Sequence, residues 1–289
     1  MPAAEVDITA DLVRALLAGQ HPDLAALPLR FHANGWDNAI WRLGDDRLVR
    51  LPRRQLGARI IANEQRWLPH LAGRLPIQIP SPERTGHPAN GYPYSWSVVP
   101  YIPGVPAVDA AGSLDLATVA TQLGRFLAAL HVPAPPDAPA NPLRGIPLRG
   151  RAESLEASLE ILAAQVDADA VRLAWDDALA APEHDGPPLW LHGDLHPANI
   201  LIRDGAVSGI IDFGDITAGD PACDLSIMWM LLPSRCHGQF RAAYGGIGES
   251  LLRRARGWAL ALAVVFLAHS AGSPWLVRVG GETLNALVG

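Results

Sequence analysis

Two short apolar runs with polar residues at their ends constrain this chain most: "LWLHGDLHPANILI" (189–202) and "VSGIIDFGDI" (207–216). Runs this short and this undiluted read as strands buried on both faces, because a half-exposed strand would alternate apolar with polar residues. Histidine, aspartate and asparagine directly beside such strands are costly to bury unless they are paired or put to use. A hairpin of the two runs brings Asp194, Asn199 five positions later and Asp212 thirteen beyond that into one place.

The trio points to a particular chemistry. Asp194 is read as a carboxylate without a counterion of its own, while the Asn199 carboxamide oxygen and the Asp212 carboxylate form an oxygen set suited to Mg²⁺, a cation that keeps waters and shares substrate phosphates. Phosphoryl transfer spreads negative charge over the transferred group, so the protein's task is positioning and neutralisation. Asp194 is expected to accept a hydrogen bond from an acceptor hydroxyl and take its proton late. Asn199 and Asp212 are expected to hold the Mg²⁺ that bridges nucleotide phosphates. The stretch "HGDLHPAN" followed by "DFG" keeps the spacing of the kinase signature H-R-D-x-x-x-x-N then D-F-G.

Elsewhere the chain divides into a small strand-rich part and a larger helical one. Thr9 caps a helical pattern through "ADLVRALLAG". "LRFHANGWDNAIWRLGDDRLVRLP" reads as two or three strands with turns at Asn34-Gly35 and Gly44-Asp45-Asp46. A helix over about 56–71 follows, and "YSWSVVPYIPG" is another strand that leaves through prolines into a connection. Helical patterns then cover about 114–130 and two segments within 151–181, and the remainder after the polar runs is again helical. "WALALAVVFLA" is too short to span a bilayer and reads as a core helix.

Composition narrows the partners. The net charge is −6 and aromatic residues make up 6% of the chain, so the basic footprint of a nucleic-acid binder is missing. Residues 1–150 carry 14 Arg against 12 acidic residues and the rest carry 9 against 17, which places the acidity with the polar runs. Lysine is absent, so all 23 basic residues are Arg and no single Arg stands out by type. Cys223 and Cys236 alone support neither a disulfide framework nor a Cys-based zinc site. The start lacks a signal-peptide pattern, and the expectation is a cytoplasmic protein with no membrane partner, either a monomer or a homodimer.

On "LHGDLHPANILI" and "GIIDFGDITAGDPACDLS" the chain resembles the aminoglycoside phosphotransferase and choline-kinase-like family, a protein-kinase-like group of small-molecule kinases. The resemblance implies an α+β, bilobal protein-kinase-like fold. Its N-lobe (1–101) would be an antiparallel sheet plus a helix, and its C-lobe (102–289) mostly helical. It implies ATP or GTP as phosphoryl donor with Mg²⁺, and as acceptor a hydroxyl of an antibiotic-like small molecule, an aminoglycoside, macrolide or nucleoside antibiotic, whose phosphorylation confers resistance. The family's phosphate-contacting strand residue and its helix glutamate fall on Arg50 and Glu64; Arg in place of the usual Lys can hold phosphate oxygens in bidentate fashion. The phosphate-covering loop falls on Gly35, Trp36 and Asn38, although "HANGWDNAIW" has a single glycine, and the nucleobase-facing segment falls on Val99 and Tyr101. Asp224 matches the buried aspartate that steadies the catalytic loop.

Other residues carry two readings each. His192 reads as a loop-holding residue and His196 as one that touches phosphate or acceptor. Asp215 touches metal or solvates a turn, and Asp220-Pro221 reads as a helix cap. The acceptor side is sought in 140–185 and 225–289, where Glu153, Glu156, Asp176, Asp177 and Glu183 would suit a polycation or simply lie on solvated helix faces. Three competing functions are a metabolic choline- or homoserine-type kinase, a metallohydrolase that binds zinc through His192, Asp194 and His196, and a kinase-like protein that holds nucleotide without turnover.

Overall fold

The computed structural model describes residues 3–110 and 112–289, with the side chain of residue 164 left out. The chain forms two compact units, 1–74 with 78–103, and 75–77 with 104–289.

The first unit opens with α1 (Ala10–Gln20), whose first turn is capped by Thr9 Oγ1 accepting the Leu12 N–H at 3.2 Å. Strands β1 (Leu29–Asn34), β2 (Asn38–Leu43) and β3 (Arg47–Pro52) follow, then α2 (Gln55–Ala72), β4 (Arg84–Gly86) and β5 (Trp96–Pro100). They make an antiparallel sheet in the order β1-β2-β3-β5-β4. Alternate positions of β2 and β3 send Trp41, Leu43, Val49 and Leu51 inward against Val13, Leu16 and Leu17 of α1 and Trp96 of β5. The period-2 alternation thus lays one sheet face on the helix.

The second unit begins with β6 (Val105–Pro106) and α3 (Leu116–Leu130), capped by Asp115, and continues with α4 (Ala152–Leu162) and α5 (Ala168–Leu179), capped by Asp167. Then come β7 (Leu189–Leu191), β8 (Ile200–Arg203), β9 (Ala206–Ile210) and β10 (Thr217–Gly219). The short α6 (Ala222–Leu225) and α7 (Ile227–Leu231), then α8 (Ser234–Tyr244), α9 (Glu249–His269) and α10 (Pro274–Val288), complete it. The apolar stretch 258–268 lies within α9, where Trp258 to Val264 are buried, and α4, α5, α6 and α10 pack around it. No helix among the described residues is long and apolar enough to cross a membrane.

The two polar runs belong to two small sheets, with β8 antiparallel to β9 and β7 antiparallel to β10. Ile200 pairs with Ile210, so the residues that precede β8 and those that follow β9 emerge at the same end.

Candidate active site

In the first unit, Arg50 of β3 and Glu64 of α2 are both buried, and Arg50 Nη1 donates to Glu64 Oε2 at 2.7 Å. The helix follows the strand after a short turn, which brings position 64 over position 50. Gly35 sits in the β1–β2 turn, where its N–H donates to the Asn38 carbonyl at 2.8 Å, and Trp36 at the tip is 64% exposed. Asn38 is buried and its Oδ1 accepts no hydrogen bond among the described residues. Val99 is buried in β5 opposite Leu48, and Tyr101 stands just beyond with the Arg42 guanidinium over its ring at 3.2 Å.

In the second unit the loop after β7 is held from below by one carboxylate. Asp224, fully buried in α6, accepts the His192 N–H at 2.7 Å on Oδ2 and the Gly193 N–H at 2.9 Å on Oδ1. His131, at the end of α3, stands 3.3 Å from Oδ2 through Nε2, and its Nδ1 lies 2.9 Å from the Tyr244 hydroxyl. The consistent assignment is Tyr244 O–H to His131 Nδ1 and His131 Nε2–H to Asp224. Burial opposes the Asp224 charge most strongly, but the His131 hydrogen bond, the neighbouring imidazoles of His131 and His192 and the Gly193 N–H together hold its carboxyl below the ordinary range. Burial, then the charges of Asp224 and Asp220, pushes the Tyr244 phenol up to about 12, so it stays a donor.

His192 is fully buried with both ring nitrogens in use. Nδ1 accepts the Asp194 N–H at 3.2 Å, and Nε2 donates to the Ile211 carbonyl at 2.9 Å, linking this loop to the end of β9. Gly193 has φ +84°, and a Cβ there would lie 2.2 Å from the Asp215 carbonyl oxygen. Only glycine lets the two loops approach this closely.

Asp194, with 28% of its side chain exposed, faces away from these anchors. Its backbone carbonyl accepts Asn199 Nδ2 at 2.9 Å, and Asn199 is fixed further by its N–H to the His196 carbonyl and its carbonyl to the Ile211 N–H, both at 2.9 Å. Asp212, just past β9, has φ +63°, a left-handed conformation that aspartate tolerates at some cost. Its exposed carboxylate makes no hydrogen bond or ion pair among the described residues. A strained, unpaired carboxylate and a carboxamide whose nitrogen is already engaged present oxygen donors, which is what Mg²⁺ requires.

One expectation is corrected. Asp194 does have a counterion: Arg144, in the loop after α3, donates from Nη2 to Asp194 Oδ1 at 2.7 Å and from Nε to Asp215 Oδ2 at 3.4 Å. Asn141 Nδ2 completes the group on Asp215 Oδ1 at 2.9 Å, so Asp215 is tied to this loop. On the other side His196 Nε2 is 3.3 Å from Asp194 Oδ2. Burial is the largest influence on Asp194 and would raise its pKa. The His196 hydrogen bond and ring, then the Arg144 guanidinium and the His192 ring, hold it far below the usual carboxylate range.

His192 bears on the zinc reading, since both its nitrogens are spent on backbone groups and the residues after β7 form a loop, so 192, 194 and 196 do not line one strand face. Among the described residues no three His, Cys, Asp or Glu side chains converge as a ligand set. Asp220 accepts the Ala222 N–H at 3.0 Å as a cap, and in addition forms a buried pair with Arg254 of α9 at 2.7 Å. Neither Arg144 nor Arg254 differs in sequence from the other arginines. The one local signal for Arg144 is the glycine beside it in "NPLRGIP".

The phosphotransferase enzyme family model, APH, matches residues 28–258. The chain belongs to this family. It is therefore a phosphotransferase, and solved structures agree with the bilobal kinase-like fold. The GDP and kanamycin complex of APH(2")-IIIa is 22% identical, with a TM-score of 0.69 over 94% of this chain and 97% of that one. Macrolide 2'-phosphotransferase MphH from Brachybacterium faecium, as apoenzyme, is 24% identical with a TM-score of 0.62 over 95% and 97%. The streptomycin–ATP ternary complex of APH(2")-IIa is 17% identical with a TM-score of 0.62 over 96% and 99%. No curated protein matches the chain.

Proposed function

We propose that this phosphotransferase moves the γ-phosphoryl group of a Mg²⁺-bound nucleoside triphosphate onto a hydroxyl of an antibiotic-like small molecule, inactivating it. The carrying observation is the partly exposed Asp194 carboxylate on a loop whose backbone holds Asn199 and which His192 and Asn199 tie to Ile211, the residue before Asp212. Mg²⁺ supplies charge neutralisation at the phosphates when bound, with Asn199 and Asp212 as its protein ligands. Arg50, held by Glu64, takes phosphate oxygens of the nucleotide. Gly35, Trp36 and Asn38 are assigned to cover the phosphates, and Val99 and Tyr101 to meet the base.

In the reaction the acceptor oxygen bonds to phosphorus as the bridging β,γ-oxygen leaves with the diphosphate, and the hydroxyl proton passes to Asp194. A carboxylate accepts at about four lone-pair positions, and His196 and Arg144 use two. With its pKa held so low, Asp194 is a weak base; it orients the hydroxyl and takes the proton only as the O–P bond makes that proton acidic.

Two observations bear on the acceptor. The His196 ring lies 5.3 Å from Trp275 and 6.3 Å from Phe266, which gives Asp194 an aromatic flank suited to a sugar or macrocycle face. The acidic helices offer less to a polycation than their sequence implies, because Glu156, Asp177 and Glu183 each pair with an arginine, Arg172, Arg253 and Arg149. The solved relatives carry kanamycin, gentamicin and streptomycin, or bear macrolide phosphotransferase names, and both classes belong in the test. The deciding assay is ATP and GTP consumption with Mg²⁺ across aminoglycosides, macrolides, nucleoside antibiotics, choline and homoserine, with product mass read for one added phosphoryl group. Transfer only to choline or homoserine would move the assignment to a metabolic kinase.

A further inference from the structure

Arg144 touches the expected proton acceptor, yet neither catalytic motif contains it. It lies 50 residues from Asp194, in the segment between α3 and α4. Its side chain is 17% exposed, so the guanidinium is committed to its two carboxylates more than to water. Burial is the strongest influence on it and disfavours its charge, but the carboxylates of Asp194 and Asp215 outweigh that and keep it protonated.

The backbone that carries it is anchored at both ends. The Pro139 carbonyl accepts Ala218 N–H at 3.2 Å and Thr217 Oγ1 at 2.9 Å, and the Gly145 carbonyl accepts Asp220 N–H at 2.8 Å. Gly145 lies so close to β10 that a Cβ on Gly219 would come within 2.1 Å of the Gly145 carbonyl oxygen. The guanidinium therefore arrives from a platform fixed to β10, the strand that pairs with β7 and so leads back to the loop of Asp194. One planar fork then spans the carboxylates of Asp194 and Asp215, the second of which Asn141 also holds.

We propose that Arg144 is a positioning residue for phosphoryl transfer. It clamps Asp194 Oδ1, locks that oxygen to the turn after "DFG", and leaves the remaining lone pairs of Asp194 aimed at the acceptor hydroxyl. The inference rests on Asp194 being the carboxylate that receives the hydroxyl. The fork geometry matters, since two carboxylates in different loops are bridged by two different nitrogens, which a lysine's single ammonium reproduces only in part.

The test compares wild type with Arg144→Ala, Arg144→Lys and Asp194→Asn. Turnover of Mg²⁺-ATP and Mg²⁺-GTP is followed to kanamycin, to erythromycin and to water, alongside nucleotide affinity and thermal unfolding. Arg144→Ala is expected to lower kcat about 10- to 100-fold, as small displacements of a positioning group do, with nucleotide affinity within about threefold of wild type. Arg144→Lys should fall between the two. Millimolar guanidinium should raise the rate of Arg144→Ala several-fold and leave wild type unchanged.

A wild-type kcat in Arg144→Ala overturns the proposal. So does a loss that follows nucleotide affinity and melting temperature and does not respond to guanidinium, because that marks a purely structural arginine. If Asp194→Asn leaves every rate intact, the assignment of Asp194 itself fails and the role of Arg144 with it. An inactive Asp194→Asn beside a fully active Arg144→Ala leaves Asp194 in place and removes only Arg144.

Discussion

Asp224 and His192 are joined by a 2.7 Å hydrogen bond from the His192 backbone N–H to a carboxylate with no solvent exposure. The neighbouring Gly193 N–H occupies the other oxygen of Asp224. The loop carrying Asp194 is thus pinned by its backbone, and the side chain of Asp194 is left for other use. A buried carboxylate survives here because it receives two amides and the His131 ring, which together offset its desolvation.

Asp224→Asn therefore removes a charge on which several donors converge. The variant is expected to lose about 3–5 kcal/mol in the folding of the second unit. The sign with pH follows from the lowered carboxyl of Asp224. Its stabilisation is complete above the unfolded value near ~4 and fades as pH falls through the lower folded value. Urea midpoints of wild type and variant should differ most at neutral pH, begin to approach each other below pH ~4 and meet only below the lower folded value; a gap that does not narrow with acid would show that the Asp224 charge is not what stabilises the loop.

Asp194→Asn tests the chemistry while keeping a side-chain oxygen for the Arg144 guanidinium and leaving the backbone contact to Asn199 in place. Asp194→Asn should cut turnover about 10² to 10⁴-fold and leave nucleotide binding near wild type. Steady-state kinetics beside nucleotide titration check this, and near-normal turnover would count against the role.

Among the described residues the Asp212 side chain makes no hydrogen bond or ion pair that its loss would break, and an amide can keep its left-handed backbone. Asp212→Asn is expected to leave the melting temperature almost unchanged while weakening Mg²⁺-dependent nucleotide binding at least tenfold. Titrating nucleotide at several Mg²⁺ concentrations checks this. An unaltered Mg²⁺ dependence would take Asp212 out of the metal site.

Arg254 and Asp220 form a buried pair at 2.7 Å. Arg254→Met strands the Asp220 charge and should cost about 3–5 kcal/mol, whereas adding Asp220→Asn to it should recover part of that loss. Chemical denaturation of the two single variants and the double closes the cycle; additive losses would mean that the pair is not coupled.

Much of the site was legible locally. The undiluted apolar runs around 189–202 and 207–216 mark strands, and the spacing of Asp194, Asn199 and Asp212 survives in a hairpin whose register follows from a short turn. Thr9 as a cap and the alternation over 29–52 follow from neighbours a few residues apart. The expected link of Arg50 to Glu64 is likewise a local matter, a strand and the helix that directly follows it.

The sequence by itself determined the spacing of the polar trio for which chemistry is proposed, the strands that flank it and the division into a sheet-rich and a helical unit, because each rests on periodicity or short spacing. The tertiary structure alone decided which arginine faces Asp194, which helix ends supply His131 and Tyr244 to Asp224, and that Arg254 meets Asp220. Those partners lie tens of residues apart on elements brought together by packing, and among 23 arginines without a lysine no residue type marks the chosen one. Burial then sets their energetics, since a charge enters this core only where the fold has already placed its counterpart.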